Sequence, residues 1–135
     1  MANLPDTMET ALLDYYLGTA NSTNYATHAS YWVGLCTGAY PTDSAFPEVT
    51  QASYSRRQIT FTTASGGQAT GPAASTAFPS ASASWGDIFG YGVFAASTGT
   101  SGTNYLFHSS LNPTVACTTN DTVSFSTGAM TLTMA

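Results

Sequence analysis

Two histidines, His28 and His108, are the ordinary candidates in this 135-residue chain for a base near neutral pH, so hydrolytic acid–base chemistry would run through one of them. His28 lies in a small, polar stretch with no partner close in sequence. His108 lies in an apolar run, out of phase with Phe107, the setting of a hydrogen-bonded structural histidine. No serine occupies Gly-x-Ser-x-Gly, so the strained turn that exposes a nucleophilic hydroxyl is not supported. With Cys36 and Cys117 the histidines offer the atoms of a four-coordinate zinc site, but without the short paired intervals that mark one. Asp43 with Glu48, or Asp87 with Asp121, would suit calcium, yet no oxygen-rich loop motif surrounds either pair. The expectation is no catalytic residue, no metal site and no cofactor.

The elements that position these groups must be built from an unusual composition. Serine and threonine fill 39 positions, against seven acids, two arginines and no lysine. Ordinary domains carry roughly a quarter charged residues. Lysine also blocks exposed sheet edges, so a strand-rich chain without it needs closure, a covering segment or a partner, which points to a permanent assembly. A formal charge of -5 with only Arg56 and Arg57 as cations argues against duplex nucleic acid. The amino terminus lacks a secretory pattern and no run approaches a membrane span, so neither export nor a membrane is expected. In that setting Cys36 and Cys117 are expected as small buried residues and not as a disulfide.

Local patterns predict one short helix followed by strands. Asp6 and Glu9 form a capping-box pattern, Leu12, Leu13, Tyr16 and Leu17 give an apolar face, and Gly18 terminates it. Residues 19–30 have no period and read as a loop. Residues 31–36 are apolar on both faces, hence a central or covered strand. Residues 38–48, with Pro41 and Pro47, read as an excursion loop. Residues 54–63 alternate as a strand with one wet face, placing Arg57 on the Ile59 and Phe61 side and Arg56 on the polar side. Ser65-Gly-Gly-Gln and Gly71-Pro72 read as turns, and 73–78 as a weaker strand. In 88–96, Phe89, Tyr91 and Val93 alternate with Gly90 and Gly92, and glycines opposite aromatics predict tight packing on the bare face. Further strands are expected at 105–111, 115–118, 122–125 and 130–134, with Asn120-Asp121 as a hairpin turn. The sum is an all-β, antiparallel β-sandwich or jelly roll of seven or eight strands: residues 1–18 form a helical arm and 19–135 one domain.

Candidate contact residues follow from this layout. Adjacent Arg56 and Arg57 must point to opposite faces of a strand, each either satisfying a carboxylate or carbonyls inside the chain or crossing an interface. Trp32 and Trp85 fit core and corner positions, and Trp85, beside Gly86, could also anchor a subunit. Leu12 and Tyr16 of the arm complete the interface candidates.

The succession Tyr31-Trp-Val-Gly-Leu-Cys-Thr-Gly, Tyr54-Ser-Arg-Arg-Gln-Ile-Thr-Phe, Trp85-Gly, Tyr91-Gly-Val-Phe, Tyr105-Leu-Phe-His and Asn120-Asp-Thr-Val-Ser-Phe resembles a family of small virion proteins of tailed bacteriophages, over residues 12–133. The chain departs from that pattern at Ala95-Ala-Ser-Thr-Gly-Thr-Ser-Gly, where the family favours more acids. The resemblance implies a non-enzymatic virion protein. Low charge and small side chains suit packing against similar neighbours. The leading expectation is a capsid decoration, or cement, protein on the outer capsid surface, trimeric and partnered by the major capsid protein, with residues 1–18 as tether. The alternative is a tail fibre or tail tip component that contacts the host surface. A free glycan-binding or hydrolytic protein is the third reading.

Overall fold

The computed structural model describes Leu17 and residues 30–43, 45–99 and 105–133. They form eight strands: β1 (Tyr31–Thr37), β2 (Arg57–Ile59), β3 (Gln68–Gly71), β4 (Thr76–Ala77), β5 (Gly86–Phe94), β6 (Tyr105–Cys117), β7 (Ser124–Phe125) and β8 (Met130–Thr133). All pairings are antiparallel. One sheet has the order β2-β1-β5-β6, and β3–β8 and β4–β7 form two short ladders. The chain is nearly all β, as its periodicity predicts. The expected arm lies outside the described residues except for Leu17, which is helical and 71% exposed.

β1 and β5 are central because both of their faces are apolar. They pair from Trp32↔Phe94 to Thr37↔Ile88, with Gly34 directly opposite Gly92. On one face Val33, Leu35, Ile88, Tyr91, Val93 and Phe107 join the main core, closed by Phe78, Phe125 and Met130 from the ladder side. Full burial of each such side chain stabilises the fold by about 1.5–3 kcal/mol. The other face carries Gly34, Gly90 and Gly92, and residues 38–48 lie across it. A Cβ on Gly90 would stand 2.8 Å from Pro41, and one on Gly92 would stand 2.7 Å from the Phe46 ring. The alternation of glycine with aromatics therefore marks a covered face, and the cover is the proline-rich excursion.

Four local expectations are corrected. The strand expected over 54–63 ladders with β1 only at Arg57–Ile59; beyond it Thr60 and Thr62 exchange backbone bonds with Ala73 and Thr70. Gly71, expected in a turn, ends β3, where a Cβ would meet the Phe61 ring at 2.6 Å. The strands expected at 105–111 and 115–118 are one strand, β6. Ile88 pairs with Val115 and Gly90 with Ser110, so residues 111–114 bulge opposite Phe89 alone. Asn120 and Asp121 do turn, with Asn120 at φ 73 and the Asp121 amide on the Thr118 carbonyl at 3.1 Å, but β6 pairs with β5 and β7 with β4. The turn therefore joins separate ladders instead of closing a hairpin.

Edges are managed without lysine. β2 is three residues long and carries exposed Arg57, while β6 carries Pro113, which cannot donate, inside its bulge.

Candidate functional site

The densest polar arrangement is built where β1 loses its partner. β2 reaches only Val33, and past it the returning excursion supplies the bonds: the Val49 amide to the Leu35 carbonyl at 3.0 Å and the Thr37 amide to the Pro47 carbonyl at 2.9 Å. This fixes Glu48 beside Cys36. Its carboxylate then receives Arg56 in a bidentate fork, Nε to Oε1 and Nη2 to Oε2, both at 2.7 Å. Arg56 Nη1 donates to the Ala96 carbonyl at 2.9 Å, and the guanidinium carbon lies 3.5 Å from the centroid of the Phe94 ring. The Tyr54 hydroxyl donates to Glu48 Oε1 at 2.8 Å and accepts the Leu35 amide at 2.9 Å. Burial, and then the Glu48 charge, hold that hydroxyl far above the usual tyrosine range. The Arg56 side chain is 2% exposed and spends its fork inside the chain. This network ties the excursion, the approach to β2 and the segment after β5 into one body, and offers no group free to react.

Arg57 shares a sheet face with Ile59 and Arg56 lies on the other, as alternation predicts, but their exposure is the reverse of what that phase suggests. Arg56 is buried and Arg57 is exposed as the first residue of β2, opposite Val33. The side read as polar is a covered one: there Arg56 is held by Glu48, eight residues earlier, and by the Phe94 ring. Among the described ion pairs Arg57 takes no part.

The candidates for chemistry are likewise used in packing. His108 Nε2 lies 2.9 Å from Asp43 Oδ1, joining β6 to the excursion, and its ring stacks on Tyr105 at 5.8 Å. Its Nδ1 is buried and meets no hydroxyl, so the pair lacks the serine that a hydrolytic triad places on the imidazole. Cys36 and Cys117 are buried free thiols. Burial pushes Cys36 up to about 11 and also raises Cys117, which keeps both protonated and poorly nucleophilic at neutral pH. Among the described residues no group of three or more His, Cys, Asp or Glu is arranged to hold a metal. His28 lies outside the described residues.

Of the interface candidates, Leu12 and Tyr16 also lie outside the described residues. Trp85 is 1% exposed, within the main core, edge-on to Tyr54 at 5.6 Å. Its backbone bonds Cys117 and Thr37, so it is a corner of its own chain. The feature that periodicity missed is a pair of clefts along the outer half of β6. Two clefts of about 470 and 490 Å³ flank it, and Leu111 lines both. The first is polar, faced by Ser109, Asn112, Thr131 and Thr133; the second is faced by Val115, Val123 and Phe125. Asn112-Pro113 inside an otherwise alternating run is the sequence sign of the bulge that opens them.

No curated protein matches the chain. A family model described as podophage GP4 fiber I protein gp80 matches residues 3–133, which takes in every strand of the fold. The chain therefore belongs to the podophage GP4 fiber I protein gp80 family and is a bacteriophage virion structural protein.

Proposed function

We propose that the chain is a non-enzymatic structural subunit of a podophage tail fibre, held in the particle by contacts with copies of itself and with neighbouring tail proteins. The observation that carries this reading is the extent of the family match, which spans residues 3–133 and so attaches the fibre description to the β fold itself, not to an added segment. It favours the tail alternative over the capsid-decoration reading. The inward use of Arg56, Glu48, His108 and Asp43 accords with a scaffold. A surface rich in serine and threonine and poor in charge suits extensive packing against like surfaces.

The test is location and copy number in purified virions. Quantitative mass spectrometry against the major coat protein, with immunogold labelling of the chain, is expected to give few copies and gold at the tail. Hundreds of copies with gold over the head would establish capsid decoration instead. Absence from the particle would overturn the virion assignment.

A further inference from the structure

The excursion that covers the bare face of β1 and β5 is held firmly at its Glu48 end and lightly before it. At that end the Thr37 amide bonds Pro47, the Val49 amide bonds Leu35, and Arg56 and Tyr54 grip the Glu48 carboxylate. At the other end Gly38 takes φ 80, a left-handed turn that suits glycine. Between them, among the described residues, the backbone bonds stay within the excursion itself. Thr42 and Ala45 exchange amide-to-carbonyl bonds at 2.9 and 3.3 Å, and the Glu48 amide donates to the Phe46 carbonyl at 2.9 Å.

Side chains join this middle part to the sheet. Pro41 is buried against Gly90, and Phe46 is half-buried against the rings of Phe94 and Tyr105 at 5.2 and 5.4 Å, while residues 38–40, 42, 43 and 45 are exposed. The polar link is Asp43 to His108, and it is lopsided: the His108 side chain is 5% exposed and that of Asp43 is 49% exposed. Water competes for such a carboxylate, so the link holds weakly. Beneath it His108 Nδ1 and the Tyr105 hydroxyl are buried with no partner among the described residues, so closure desolvates both without a bond in return. Few buried contacts and an exposed backbone mark a segment that opens locally at a lower cost than the sheet. β1, β5 and β6 keep ladders of their own beneath it. We propose that residues 38–46 are a flap, latched by the Asp43–His108 contact and swinging between Gly38 and Pro47, which lifts from the sheet while those ladders stay intact. Lifting uncovers Cys36, which pairs with Gly90 on the face that Pro41 covers. Cys117, inside the main core, stays shielded. The floor of Gly34, Gly90 and Gly92 beside Phe94 and Tyr105 becomes a surface that the closed chain withholds from solvent.

Labelling of the full chain with N-ethylmaleimide, read at each cysteine by peptide mass spectrometry, tests the flap. Both thiols are free and buried, so each reacts only through an opening, and each rate is normalised to that of the same thiol in the denatured chain. Without denaturant Cys36 is expected to label several-fold faster than Cys117, at a rate independent of protein concentration and nearly flat at low urea. Labelling of Cys117 should instead accelerate with urea, as global unfolding does. Asp43→Ala removes the latch at a half-exposed position and should raise the Cys36 rate several-fold further while leaving that of Cys117 unchanged. A normalised Cys36 rate no greater than that of Cys117, with the same urea dependence, would overturn the flap in the unaltered chain, whatever the variant does. Unchanged Cys36 labelling in a folded Asp43→Ala chain would overturn the latch.

Discussion

The sheet face beneath residues 38–48 and the outer half of β6 stand at opposite limits of how this chain satisfies its backbone and side chains. On the first, glycines let Pro41 and Phe46 approach the sheet, and the carboxylate of Glu48 is enclosed by Arg56 and Tyr54. On the second, a four-residue bulge breaks the register with β5, Val115 faces outward and two clefts stay open. The difference teaches where the chain spends its few charges. A chain with so few charges places one of its two arginines where it fixes the excursion, and leaves hydroxyls and scattered apolar groups on its surface.

The comparison breaks most readily at Glu48. Glu48→Ala leaves Arg56 buried without its carboxylate, and removing one partner of such a pair costs about 3–5 kcal/mol. A large fall in the urea midpoint is expected, and a loss under about 1 kcal/mol would mean that water reaches the pair. Gly90→Ala follows. Its Cβ would meet the Ser109 carbonyl oxygen at 2.5 Å and Pro41 at 2.8 Å, so about 1–3 kcal/mol of overpacking is expected in the same assay.

Alkali gives a smaller, selective effect. The folded state holds the Cys36 thiol up to about 11, against 9.0 when unperturbed, so the unfolded chain releases this proton first. The contribution is full below about pH 9 and disappears as pH climbs through about 11. Plots of urea midpoint against pH for the unaltered chain and Cys36→Ala should converge over that interval. Parallel curves would show that the thiol is solvated in the fold. Smallest of all, Arg57→Gln and Val115→Ser lie on exposed positions and should change stability by less than about 0.5 kcal/mol, checked by thermal melts at a concentration where the chain is dissociated.

Much of the first region was legible in the sequence. Residues 31–36 and 88–94 alternate with apolar groups on both sides, which only a central strand accommodates, and the glycines of β5 announced a covered face. The cover itself was not legible, because Pro41 and Phe46 show no period and act through contacts across the sheet. The burial of Arg56 was not legible for a related reason: alternation gave its side of the strand, but that this side is covered depends on the path of the excursion that carries Glu48. β3 escaped because Gln68-Ala-Thr-Gly has almost no apolar signal and takes its extended form from β8. On the second region the cleft was not legible, because it requires β6 and β7 to bring Val115 beside Val123 and Phe125. Periodicity likewise could not separate head from tail, since both locations ask for a weakly charged β domain.

Hydrogen–deuterium exchange on the full chain, followed by mass spectrometry at concentrations above and below assembly, tests the division most directly. The account predicts that amides of Tyr31–Thr37 and Gly86–Phe94 stay equally protected at both concentrations, while those from 111 to 125 lose protection on dilution. Concentration-dependent protection confined to residues 38–48, with 111–125 unchanged, would contradict it.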